Sequence, residues 1–85
     1  MLPLYATRYA LRVPDRGDLG PILLSLWLVQ EGEAVQAGDR VAELLAGPAT
    51  YDLASPIAGR LSQCLVDESQ EVQTGQTLAW IDEAE

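Results

Sequence analysis

The chain has 85 residues, one small domain's worth, and its 48% apolar content is enough for a core and too high for a disordered tail. Thirteen acids against five bases give a formal charge of −8; Arg8, Arg12 and Arg16 meet only Asp15 at the start, whereas Arg40 and Arg60 meet twelve acids thereafter. So acidic a surface repels phosphate and makes nucleic acid and anionic membrane poor partners, and a chain without histidine or lysine has no imidazole base, no histidine metal ligand and no lysine amine for a covalently attached group.

Residues 1–7 show no period and read as a loose lead-in. Tyr9–Val13 reads as a strand stopped by Pro14, and the turn formers of Pro14–Pro21 make a loop. Ile22–Val29 is the most apolar run; it is far short of the roughly 20 residues that cross a bilayer and lies too far in for a signal-peptide core. It reads as a buried strand within Ile22–Gln30. A polar stretch, Glu31–Glu33, then Val35 and Gly38, lead to a second strand at Val41–Leu45. Gly47-Pro48 is a strong turn signal, so Val41–Leu45 and Thr50–Leu53 form a hairpin with its tip at Gly47, Pro48 and Ala49. Arg60–Asp67, the polar Glu68–Glu71, Val72, Gly75 and Leu78–Ile81 then repeat the earlier order.

The repetition is direct. Leu24–Leu44 aligns without a gap on Leu61–Ile81, 37 residues on, with nine identities in 21 positions, among them Glu31/Glu68, Val35/Val72 and Gly38/Gly75. In each copy the Val plugs the core from a short bridge, and the Gly supplies the positive φ that turns the chain into the next strand. Two copies are too few for a solenoid and point to a pseudo-two-fold domain. The Gly and Pro spacing leaves no window of about 12 residues with a helical period, so the class is all-β. A lone cysteine, Cys64, leaves no internal disulfide and no thiolate metal cluster, and gives no sign of an oxidising compartment; a cytoplasmic location is expected.

The order of Val13-Pro14-Asp15, Trp27-Leu28-Val29 before Glu31-Gly32-Glu33, Val35-x-x-Gly38-Asp39, Pro56-x-Ala58-Gly59 and Val72-x-x-Gly75-Gln76 resembles the lipoyl/biotinyl-attachment domain family, and within it the lipoyl domains of 2-oxo acid dehydrogenase acyltransferases. The resemblance covers residues 9–82. It implies a flattened barrel-sandwich hybrid of two four-stranded sheets related by a pseudo-two-fold axis, with residues 8–85 as a single lipoyl-like domain. It also implies a lysine at the tip of the central hairpin, in Asp-Lys-Ala for lipoyl or Met-Lys-Met for biotin. That triplet falls on Gly47, Pro48 and Ala49, so Pro48 stands at the attachment position and neither lipoate nor biotin is expected as a cofactor.

Leu45, Ala46, Pro48, Ala49 and Tyr51 make the tip apolar, either as an interaction patch or as a turn that lost its cofactor and kept its hairpin. Cys64 has no His or Lys to activate it, so it reads as an inert thiol. Trp27 reads as core or partial core rather than as an anchor for a partner. Arg16-Gly17-Asp18 matches an adhesion tripeptide at chance level, and Asp67, Glu68 and Glu71 lack calcium-loop spacing and read as a solvated turn, with no metal site. The function expected is that of a non-modified lipoyl-like docking module, with no catalytic residues, bound to a protein partner such as a dehydrogenase or acyltransferase-type assembly. The alternatives are a lysine-less copy of a carrier subunit or a structural spacer in a larger protein.

Overall fold

A computed structural model of the chain describes residues 7–17 and 20–84. Of the expected lead-in, residues 1–6 lie outside this range, as do Asp18 and Leu19 of the first loop. Eight strands follow in order: β1 (Arg8–Arg12), β2 (Ile22–Trp27), β3 (Ala34–Val35), β4 (Arg40–Ala46), β5 (Ala49–Ala54), β6 (Gly59–Cys64), β7 (Glu71–Val72) and β8 (Thr77–Glu83). They form two antiparallel sheets, β1-β8-β6-β3 and β5-β4-β2-β7, with no helix among the described residues. This is the all-β barrel-sandwich expected.

The sequence repeat becomes a two-fold exchange of the sheets, with β1 taking the place of β5, β2 of β6, β3 of β7 and β4 of β8. Each half of the chain, β1–β4 and β5–β8, therefore puts two strands into each sheet. The irregularities are copied too: β2 is bulged against β4 between Leu24 and Leu26, and β6 against β8 between Leu61 and Gln63. The copies lace through each other. Gly32 N–H donates to the Leu61 carbonyl at 2.7 Å and Ser69 N–H to that of Leu24 at 2.6 Å. The Glu31 carboxylate accepts from Cys64 N–H at 2.7 Å, and that of Glu68 from Trp27 N–H at 2.8 Å. Such charge-assisted bonds are stronger than neutral ones.

Leu24, Leu61, Val41, Leu78 and Ile81 are fully buried between the sheets, with Leu44 beside them. Val35 and Val72 plug the core from the two-residue strands β3 and β7, as the repeat implies. Truncating one of these leucines to alanine costs about 2–5 kcal/mol in comparable cores.

The Ile22–Val29 run differs from the buried strand expected. β2 stops at Trp27, and only Ile22 and Leu24 are buried, whereas Leu26 is 44% and Leu28 42% exposed. A strand in a two-layer sandwich presents alternate residues to the core, so half of an apolar run must face out. The matching strand β6 likewise ends at Cys64 and not at Asp67.

Gly38 and Gly75 have φ of +90° and +84°. Their N–H groups donate to the Ser55 and Val13 carbonyls, both at 2.8 Å. Beyond the adjoining residues, no atom lies within 4 Å of a Cβ added at either, so a side chain there meets backbone strain and no steric obstacle from the rest of the fold. Gly38→Val and Gly75→Val are each expected to cost on the order of 1–3 kcal/mol, in similar amount, by denaturant unfolding; neutrality at both would separate the repeat from the fold. A second left-handed pair is filled unequally: Gly32 has φ +91° and its counterpart Ser69 φ +72°.

Candidate attachment hairpin

β4 and β5 pair from Arg40↔Ala54 to Ala46↔Ala49, leaving Gly47 and Pro48 as a two-residue loop. Gly47 has φ +58°, and the proline ring holds Pro48 near about −65°. Positive then negative φ, with Gly first, is the sign pattern of a type II′ hairpin turn. Pro48 is exposed at the tip, where its missing N–H costs no ladder bond.

The structure divides the five residues expected as one apolar patch. Ala46 is 6% exposed and belongs to the core. Tyr51 lies opposite buried Leu44 and packs against the core from the inner face, with the Arg16 guanidinium 5.1 Å from its ring centre. Leu45 points the other way, opposite Leu23 and Thr50. Pro48 is exposed and Ala49 half-buried beside it. The five are therefore not one surface: strand alternation sends Leu45 outward and its neighbours Leu44 and Ala46 inward.

A lipoyl or biotinyl group requires an amine at the tip. Pro48 offers none, Gly47 and Ala49 carry no functional side chain, and all five basic residues are arginines. The residues present do not fit either group. The basic residue of this hairpin, Arg40, is at its far end and is tied to Asp52 at 3.0 Å, an exposed pair of small worth.

The other singled-out residues have separate roles. Trp27 is half-buried against the core and donates its Nε1–H to the Val66 carbonyl at 3.0 Å. Burial pushes the half-buried Cys64 thiol above its ordinary pKa, and the Glu31 charge adds to this, which suits an unreactive thiol. Glu68 is bound to Trp27 N–H while Glu71 pairs with Leu23 across β7 and β2. Asp18 of the Arg16-Gly17-Asp18 match lies outside the described residues. Two features escaped sequence reasoning. One is the cross-copy role of Glu31 and Glu68, signalled only by their identity in the repeat. The other is the close approach of Gly59 to Asp82 on β8.

Two sheets exchanged by a pseudo-two-fold, with a tight hairpin between the copies, define a biotin/lipoyl attachment domain. The chain belongs to that family, whose model, described as "Biotin-requiring enzyme", matches residues 10–81; its lipoyl and biotinyl domains are carriers rather than catalysts. Over 62 residues it is 40% identical to the dihydrolipoyllysine-residue acetyltransferase component of the pyruvate dehydrogenase complex of Zymomonas mobilis subsp. mobilis. That match spans 72% of this chain and 14% of that relative. Among solved structures, a single-chain, multi-domain long-chain acyl-CoA carboxylase is similar over 100% of this chain and 8% of its own, at 27% identity and TM-score 0.79. The lipoyl domain of the 2-oxoglutarate dehydrogenase complex of Azotobacter vinelandii shares the fold at 15% identity and TM-score 0.72, over 89% of this chain and 100% of its own. Kluyveromyces lactis urea carboxylase does so at 17% and 0.73, over 94% of this chain and 7% of its own. No described helix is long and apolar enough to cross a membrane.

Proposed function

We propose that this domain is a docking module that carries no covalent cofactor and catalyses nothing itself, and that it serves a cytoplasmic assembly of the dehydrogenase or acyl-transfer kind. Pro48 carries the reading: it stands at the tip of a correctly formed hairpin, in a chain without lysine. The family fold is kept whole while the one side chain needed for carriage is missing. The kind of assembly is drawn from the Zymomonas relative, a component of a pyruvate dehydrogenase complex. Co-expression with lipoate and biotin ligases, followed by intact-mass measurement, is expected to show no added mass. An adduct that survives denaturation overturns the non-carrier reading, whichever residue holds it. Affinity isolation from native extract is expected to recover a dehydrogenase or acyltransferase-type assembly, and recovery of no stoichiometric protein overturns the docking reading.

A further inference from the structure

The pseudo-two-fold gives this domain an internal comparison. Two open clefts of similar volume, about 460 and 510 Å³, occupy positions that the axis exchanges, one on each sheet. The first lies beside the hairpin, among Pro21, Leu23, Leu45, Gly47 and Glu71. In the second, Arg60 stands in the place of Leu23, Asp82 in that of Leu45 and Ala34 in that of Glu71. The fold makes both clefts alike, and only the side chains differ.

The charged version shows what the architecture tolerates. Arg8 bridges Asp82 at 3.0 Å and Arg60 donates to the Gly32 carbonyl across the equivalent face. Leucines at the hairpin cleft are therefore not demanded by the fold. Leu23 and Leu45 face each other across β2 and β4, and Leu26, 44% exposed, follows one step along the same strand. Glu71 sits across β7 from Leu23, and its carboxylate makes no ion pair or hydrogen bond with any described residue. Apolar side chains rimmed by an unpaired charge have the composition of a contact surface.

We propose that this cleft is the docking seat and that it takes a basic, aliphatic segment of a partner protein. A leucine or valine of that segment rests on Leu23 and Leu45, and a lysine or arginine meets Glu71. The assignment rests on the docking reading above and names its surface. Charge selects the occupant: among the strands of this sheet the acids are Glu43, Asp52 and Glu71 and the single base is Arg40, already held by Asp52. A second copy seated isologously would bring the same carboxylates against these.

The test is a titration of the ¹⁵N-labelled domain with three synthetic peptides of equal length, alternating Leu/Arg, Leu/Glu and Ser/Arg, followed by amide shifts. The Leu/Arg peptide is expected to move Leu23, Leu45, Gly47 and Glu71 saturably while leaving Arg60, Asp82, Glu83 and Ala84 in place. Leu45→Asp should weaken it at least tenfold, and Glu71→Gln several-fold with a flatter salt dependence. Both side chains lie on the outer face, and an unchanged unfolding midpoint verifies each fold. Equal shifts at both clefts, preference for the Leu/Glu peptide, or shifts on dilution of the free domain overturn the proposal, the last by making a second copy the occupant. As bait in native extract, Leu45→Asp separates the two readings. A partner held equally by variant and wild type keeps docking and removes this seat; a partner held by neither removes docking itself.

Discussion

Gly59→Ala is expected to destabilise the domain by about 3 kcal/mol, more than any single surface change. A Cβ at Gly59 runs into the Asp82 carbonyl oxygen, with the Asp82 carbonyl carbon at 3.0 Å and the Glu83 Cα at 3.3 Å. These are backbone atoms of β8, which is paired on its other side with β1 and cannot retreat without opening that ladder too. The obstacle is space and not conformation, since Gly59 is absent from the residues of positive φ. The repeat sharpens the comparison. Ile22 occupies the same place in the first copy and buries a full side chain, so one copy brings its strands close where the other fills the gap with isoleucine. Chemical denaturation checks this, and a loss below about 1 kcal/mol would mean that β6 shifts away freely.

Pro48→Lys is expected to convert an unmodifiable domain into a substrate for lipoate ligase, detected as an added lipoyl mass. The family resemblance implies a lysine at this tip as the point of attachment, and the hairpin that would present it is formed. Rebuilding the whole Asp-Lys-Ala triplet is the natural design from sequence, but the structure argues for the single change. Gly47 has φ +58°, where an aspartate costs about 1 kcal/mol, whereas lysine adopts the φ of proline without strain. The single variant should therefore be modified at least as fully as Gly47→Asp with Pro48→Lys. If the folded single variant stays unmodified beside an authentic lipoyl domain that is modified, the hairpin has diverged beyond its tip.

The strand order in two copies and the hairpin were legible because they rest on local signals: apolar runs, Gly47-Pro48, and the recurrence of Val35 with Gly38 as Val72 with Gly75; the pairing into two sheets followed from the family resemblance alone. The candidate surface was less so. Which way Leu45, Ala46 and Tyr51 point depends on register, and the irregularities between Leu24 and Leu26 and between Arg40 and Ala42 reset the alternation. No count from the sequence could place those shifts. The approach of Gly59 to Asp82 and the bonds of Glu31 and Glu68 are contacts between distant segments, and a glycine or glutamate looks the same in sequence whether or not it makes one. The cleft beside the tip was hidden for the same reason: Pro21, Leu23, Leu45 and Glu71 meet only once β2, β4 and β7 lie side by side.

Because each half of the chain supplies two strands to both sheets, neither half owns a layer. Of the six strand pairings among the described residues, β2–β4 and β6–β8 form within a half and the other four join the halves. The chain is in effect an interlocked dimer of itself, fused at Gly47-Pro48. Cutting that one loop would break no ladder bond and expose no core, yet it would turn a self-contained domain into two complementing fragments. Their association would then depend on concentration, and dilution alone would unravel what the two-residue link now holds.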